Sequence, residues 1–182
     1  MTNVVFARGD AVTLHPLQEA DLEFVCEGVN HPAVRPHVGQ SFPTSLAREQ
    51  RYFEEASQTL DVVQALVSAD GQRVGVVEFD PVDRDAGVAE FTVWVHPDHQ
   101  GNGYAREATE LMLDYAFDEL RMHKVTANAF AGNDASRALL ESVGFTREGV
   151  GREDAYVDGG YRDTHYYGVL AREWTGADAE DP

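Results

Sequence analysis

Residues 95–112 read VHPDHQGNGYAREATELM, and two glycines, Gly101 and Gly103, stand one residue apart where a strand-like run gives way to a helical one. Upstream, GVAEFTVWV (residues 87–95) has the composition of a strand. Downstream, Tyr104, Ala108, Leu111, Met112, Tyr115 and Ala116 recur at helical spacing, which predicts an amphipathic helix over 103–120. Glycines at such an entrance leave main-chain amides open, and the free N–H groups and dipole of a helix start favour negative charge. A diphosphate suits that cradle.

Two familiar phosphate loops do not fit. A nucleotide P-loop ends in Gly-Lys-Ser/Thr, whereas Gly103 is followed by Tyr104 and Ala105, with no lysine for terminal phosphates and no hydroxyl for magnesium. A dinucleotide fingerprint needs a third small residue where Arg106 stands, and it belongs to the first strand-to-helix turn of a parallel unit. Here several strands precede the loop.

Outward from the loop, the chain alternates between the two periodicities. VVFARGDAVTLHPL (4–17) reads as one edge strand, and Leu22, Val25 and Val29 give a helical stripe after it. Leu46, Tyr52, Phe53 and Ala56 mark a second helix in TSLAREQRYFEEASQ (44–58). DVVQALVSADGQRVGVVEFD (61–80) is a hairpin around Ala69-Asp70-Gly71. After the loop helix come a strand, KVTANAF (124–130), a helix, DASRALLESV, ended by Gly144, and a closing strand pair around Asp158-Gly159-Gly160. The order is one strand, two helices, three strands, helix, strand, helix and two strands. That order implies an α+β fold with a mixed, mostly antiparallel sheet of about seven strands and about four helices.

Composition narrows the function classes. At 182 residues the chain is the size of one domain, read here as 1–174, with TGADAEDP from residue 175 an acidic tail. The formal charge is −18 and Lys124 is the only lysine, so nucleic acid and anionic membranes should be repelled over most of the surface. The acids are spread along the whole length, as in halophilic proteins, where strong salt cuts the Debye length to about 3 Å at 1 M. Cys26 is the single cysteine and reads as a packed thiol, and no zinc-type Cys/His spacing exists, so no metal is expected. His96 and His99 flank a turn, and Trp94 reads as a packing residue. No signal-peptide pattern or membrane-length apolar run is present, which points to a cytoplasmic protein.

Gln100-Gly101-Asn102-Gly103-Tyr104-Ala105 fills the Gln/Arg-x-x-Gly-x-Gly/Ala loop of the GNAT N-acetyltransferases, which the chain resembles. Asn133, Ser136 and the SVGF ending at Phe145 are similar to the family's later Asn-x-x-Ser…Gly-Phe segment. The front and back ends resemble the RimJ/RimL-like branch, whose members include ribosomal-protein N-terminal acetyltransferases. The resemblance implies the GNAT fold and an acetyl-CoA site. It places pantetheine along Val93 and Val95, in a V-shaped opening towards KVTANAF. It places the pyrophosphate on the amides from Gly101 to Arg106, with the Arg106 side chain as an added cation, and it brings Asn133 to the pantetheine.

Acetyl transfer to an amine needs a neutral amine, a polarised thioester carbonyl and a proton for the leaving thiolate. Glu90, where this branch often carries an acid, is the first candidate base and Glu78 the second; the competing reading of Glu90 is a solvated strand acid. Many relatives carry a tyrosine seven residues after the asparagine, where this chain has Leu140. The resemblance then offers Ser136 as proton donor, against the alternative of a hydroxyl bonded to the helix start. The expected activity is N-acetylation of a primary amine by direct attack on acetyl-CoA, the acceptor being a protein N-terminus, an amino acid or a small amine. Because an α-amine is far less basic than a lysine amine, modest acid–base equipment suits an α-amine or a weakly basic small amine. A non-catalytic acetyl-CoA or CoA sensor is the competing function. A homodimer is compatible with the sequence but nothing in it demands one.

Overall fold

The computed structural model describes residues 4–39 and 42–176. Its strands are β1 (Ala7–Arg8), β2 (Thr13–Pro16), β3 (Val63–Ala69), β4 (Gln72–Asp83), β5 (Val88–Val95), β6 (Lys124–Phe130), β7 (Thr146–Val157) and β8 (Gly160–Leu170). The helices are α1 (Leu22–Asn30), α2 (Leu46–Ser57), α3 (Tyr104–Asp114) and α4 (Asp134–Ser142). The strands form a single 8-stranded sheet in the order β1-β2-β3-β4-β5-β6-β8-β7, mixed but mostly antiparallel. Among the described residues only β5 and β6 pair in parallel.

The expected sheet had about seven strands because residues 4–17 read as one run. The run instead folds back on itself, pairing Ala7 with Leu14 and Arg8 with Thr13. The fold-back is held by Gly9 N–H to Val12 O at 3.0 Å, and by the Glu107 carboxylate, which accepts from the Ala11 amide at 2.9 Å. The helix expected over 103–120 is α-helical only to Asp114. It finishes in a π-helical turn, Tyr115–Glu119, closed by Leu120 N–H to Tyr115 O at 3.0 Å. The tail expected from residue 175 falls mostly outside the described residues.

Strand alternation sorts the side chains onto two helix layers. Ala89 and Phe91 of β5, with Val77 and Phe79 of β4, join Met112 and Leu113 of α3 and Leu140 of α4 in one core. On the other face Val76 and Trp94 meet Leu22, Val25 and Val29 of α1, with Phe53 of α2 packed against them. Trp94 is 8% exposed, and α1 lies so close that a Cβ on Gly28 would come within 2.2 Å of its ring. The ring and the bare backbone of Gly28 thus set the α1-to-sheet distance.

The β5–β6 ladder is short. It pairs Val88 with Lys124, Ala89 with Val125 and Glu90 with Thr126, and ends there although both strands continue. The two strands splay apart beyond Glu90 and open the V that the glycine loop overhangs.

Candidate active site

β5 turns half of its main chain into that V. His96 N–H donates to Val74 O at 2.8 Å, on the β4 side. Antiparallel alternation therefore points the backbone groups of Val93 and Val95 the other way, towards the edge that β6 has left. One of them is already used: the Gln100 side-chain amide donates to Val95 O at 2.9 Å.

The loop after β5 is held by its own side chains. Asn102 Nδ2 donates to His99 O at 3.0 Å and to Gln100 O at 3.3 Å. Gly103 is the residue before α3 and has φ +81° and ψ −6°, a left-handed conformation that glycine adopts without a Cβ penalty. A Cβ on Gly101 or Gly103 would meet nothing within 4 Å, so the space before the helix is open. The α3 ladder begins with Glu107 N–H to Gly103 O at 3.2 Å, which leaves the amides of Tyr104, Ala105 and Arg106 ahead of the first intrahelical bond. Arg106 Nε is engaged by Glu110 at 2.8 Å, and its terminal nitrogens carry no protein partner among the described residues.

A cleft of roughly 630 Å³ runs through the V and under the loop. Its lining includes Val93, Val95, Gln100, Gly101, Gly103, Tyr104, Ala105, Arg106, Asn133 and Ser136. Open amides at one end, a free strand edge along one wall and mostly apolar sides fit a long molecule with an anionic head. Asn102 braces the loop instead of lining the cleft, and Glu90 also lies outside its lining. Sequence reasoning did not foresee the wall made by Ala33, Val34, His37 and Val38, from the connection between α1 and α2. That connection has no helical or strand periodicity in the sequence, and which wall it closes depends on tertiary packing.

Asn133 caps α4, its Oδ1 accepting from the Ser136 amide at 3.2 Å. The Ser136 hydroxyl has no protein partner among the described residues. Leu140 is 3% exposed and belongs to the core. Other phenols are committed elsewhere: Tyr167 donates to Glu141 at 3.0 Å, Tyr166 to Asp154 and Tyr52 to Glu78. Tyr104 lines the cleft.

The acids lie on the α1/α2 face of the sheet. Glu90 is half-buried and accepts from Asn128 Nδ2 at 2.9 Å. Glu78 sits opposite Thr92 on the neighbouring strand and accepts from the Tyr52 hydroxyl and from Gln64 Nε2 at 3.1 Å. Burial pushes the Glu78 carboxyl above the usual carboxylate range, against the pull of those two donors. Burial likewise drives the Tyr52 phenol far up, with the neighbouring Glu78 charge adding to it. No group of three or more His, Cys, Asp or Glu converges as a metal site among the described residues, and no described helix is long and apolar enough to cross a membrane.

Comparisons with known proteins agree with this architecture. Residues 11–146 match the family model described as the acetyltransferase (GNAT) domain. A Bacillus subtilis protein named "Putative ribosomal N-acetyltransferase YdaF" is 35% identical over 117 residues, which is 64% of each chain. The spermidine N(1)-acetyltransferase of Vibrio cholerae is 26% identical over 90% of this chain and 95% of that protein. The crystal structure of spermidine N-acetyltransferase from Vibrio cholerae in complex with CoA and spermine superposes with a TM-score of 0.86 at 25% identity, covering 90% of this chain and 97% of that one. The chain belongs to the GNAT acetyltransferase family and is an acyltransferase that uses acetyl-CoA as donor.

Proposed function

We propose that the protein acetylates a primary amine of a small cationic acceptor by direct attack of the amine on acetyl-CoA. The observation that carries this reading is the V between β5 and β6, with open amides at one end and acids on the opposite face of the sheet. Relatives named for spermidine acetylation support a small amine.

In this reading the amides of Tyr104, Ala105 and Arg106, with the free terminal nitrogens of Arg106, hold the pyrophosphate. The inward-facing backbone of Val93 and Val95 aligns the pantetheine, Asn133 reaches it through its free Nδ2, and the main chain of β5 meets the thioester carbonyl. Glu90, held by Asn128 at the mouth of the V, takes a proton from the incoming ammonium. The neutral nitrogen forms the N–C bond while the C–S bond breaks; Ser136 supplies the proton that the leaving sulfur needs and recovers one from the acetylated nitrogen, and Glu90 releases its proton to water. Glu78, already carrying two donors, is better suited to binding positive charge than to proton transfer.

The test is calorimetric titration of acetyl-CoA and CoA in high salt, with the wild type beside Gly103→Glu, followed by an acetylation assay on an amine panel. Micromolar binding that the variant loses, with turnover of alkyl amines, supports the proposal. Binding without turnover of any amine leaves a CoA-binding module, and no binding by the folded wild type refutes the cleft assignment.

A further inference from the structure

The connection between α1 and α2 supplies one wall of the cleft through Ala33, Val34, His37 and Val38. Its main-chain hydrogen bonds do not reach the sheet. Among the described residues, the amides of His31, Val34, Arg35, His37 and Val38 donate to Gly28, His31 or Val34, so each bond returns to α1 or to the connection itself. The Ala33 amide also stays local, donating to His31 Nδ1 at 3.1 Å. Val34 is sunk into the interior, 3% exposed, beside Leu22, Val25 and Trp94, with Val38 packed against the same cluster. Apolar burial of this kind is non-directional, so it holds the segment down without setting where its ends lie.

The ends are set by one side chain. Asn30, the last residue of α1, meets Thr44, 14 positions later in the chain and next to Ser45, the N-cap of α2. Its Oδ1 accepts from the Thr44 amide at 2.8 Å, and its Nδ2 donates to Thr44 O at 2.7 Å. Nδ2 also donates to Cys26 O at 2.7 Å, and the Cys26 thiol donates to the same Thr44 oxygen at 3.2 Å. Thr44 is 7% exposed, so its main-chain groups are cut off from water and need such partners. The Asn30 amide thus stands in for a neighbouring strand, with both its donors and its acceptor engaged. An ionised aspartate would offer no donor to the Thr44 and Cys26 oxygens, and glutamine is one methylene too long. Asn30 lies outside the cleft lining, so it acts through the segment that it closes.

We propose that Asn30 is a positioning residue for acetyl-CoA: by closing the base of the connection it holds residues 33–38 in place as a wall of the cleft before the donor arrives. With the base open the wall is in place for part of the time, and donor binding has to restore it. A wall in place about a tenth of the time raises the apparent Kd about tenfold. Bound acetyl-CoA brings the wall back, so turnover at saturation is spared. The inference rests on the reading of the cleft as the acetyl-CoA site and adds a residue that governs it without touching it.

The experiment is calorimetric titration of acetyl-CoA into wild type, Asn30→Asp, Asn30→Ala and Val67→Ala, with thermal scans to establish folding and rank stability. Val67 is 0% exposed on β3 and lies outside the cleft lining, so its truncation loosens the core without touching the wall. Asn30→Asp should raise the Kd about tenfold or more, and Val67→Ala should lower Tm and leave the Kd unchanged. Asn30→Ala, which removes the amide without adding a charge, should move the Kd in the same direction and serves alone if Asn30→Asp does not fold. Steady-state rates on an amine of the panel should show the acetyl-CoA KM rising with the Kd while kcat stays within a few-fold; the Kd decides by itself if no amine turns over. An unchanged Kd in a folded Asn30 variant, an equal rise in Val67→Ala, or a fall in kcat at unchanged KM overturns the proposal. No acetyl-CoA binding by the folded wild type refutes the cleft assignment itself, and the proposal with it.

Discussion

The Gln100 side-chain amide donates to the main-chain oxygen of Val95 at 2.9 Å, so the glycine loop is tied to the last residue of β5. The proposed phosphate cradle and the proposed pantetheine edge are thereby fixed to each other before any cofactor arrives. Gln100→Ala removes that tie without entering the core. A hydrogen bond of this kind contributes about 0.5–1.5 kcal/mol, which predicts a rise of roughly 2–10-fold in the Kd for acetyl-CoA. Calorimetry on the variant reads it, and an unchanged Kd would mean that the loop holds its shape by main-chain geometry alone.

Glu90 and Glu78 should separate by kinetic signature. Glu90→Gln is expected to lower kcat by about 10²-fold or more near neutral pH, with the loss shrinking at higher pH as the amine deprotonates unaided. Glu78→Gln is expected to raise the amine KM with little change in kcat. The pH profiles of both variants decide it, and the reverse pattern would exchange their roles.

Ser136→Ala tests the proton donor. Its hydroxyl lines the cleft and has no protein partner among the described residues, so removal should leave the fold and acetyl-CoA binding intact. A fall in kcat of about 10²-fold or more is expected. If kcat stays within a few-fold, the thiolate takes its proton from elsewhere, and Tyr104 becomes the phenol to test.

Burial holds Glu49 and Glu78 above the ordinary carboxylate value of 4.5. The folded state then keeps protons that the unfolded chain has released, so folding is favoured below about pH 4.5 by these groups and that contribution is lost as pH rises through their raised values. Glu49→Gln should therefore raise Tm at neutral pH relative to wild type and narrow that gap towards pH 4.5. A relief of about 1 kcal/mol corresponds to roughly 2–4 °C in a chain of this size. Thermal scans of both proteins across pH check it, and a lower Tm for the variant at neutral pH would mean that the carboxylate is satisfied in the folded state.

Gly28→Ala should be destabilising by about 1–3 kcal/mol, because the added methyl meets the Trp94 ring that also lines the cleft. Denaturant midpoints measure the loss. A neutral outcome would show that α1 can withdraw from the sheet.

Local chemistry made the loop legible in the sequence. Gly101 and Gly103 before a clean helical stripe led to the open amides of α3, and the remaining elements follow the periodicities in order. Side-chain reach is where the reading stopped. Residues 4–17 alternated without showing that Gly9 and Glu107 would fold them into two strands, because the Glu107 contact comes from 96 residues away. Asn102 matched the loop pattern, but its amide turns inward to brace His99 and Gln100.

The brief pairing of Val88–Glu90 with Lys124–Thr126 also has a thermodynamic consequence. β1 to β5 and β6 to β8 share a core, but among the described residues their backbones are stitched only over that seam and the Gly87 carbonyl at its start, which accepts from His123 and Lys124, and the cleft begins where the stitching ends. A ligand lying along Val93 and Val95 would act as a further length of seam, so cofactor occupancy and the cohesion of the two half-sheets become one linked equilibrium. At a hundredfold excess over Kd such linkage amounts to about 2.7 kcal/mol. The amides most slowed in hydrogen exchange by acetyl-CoA should then include those along the splayed ends of β5 and β6, and not the phosphate loop alone.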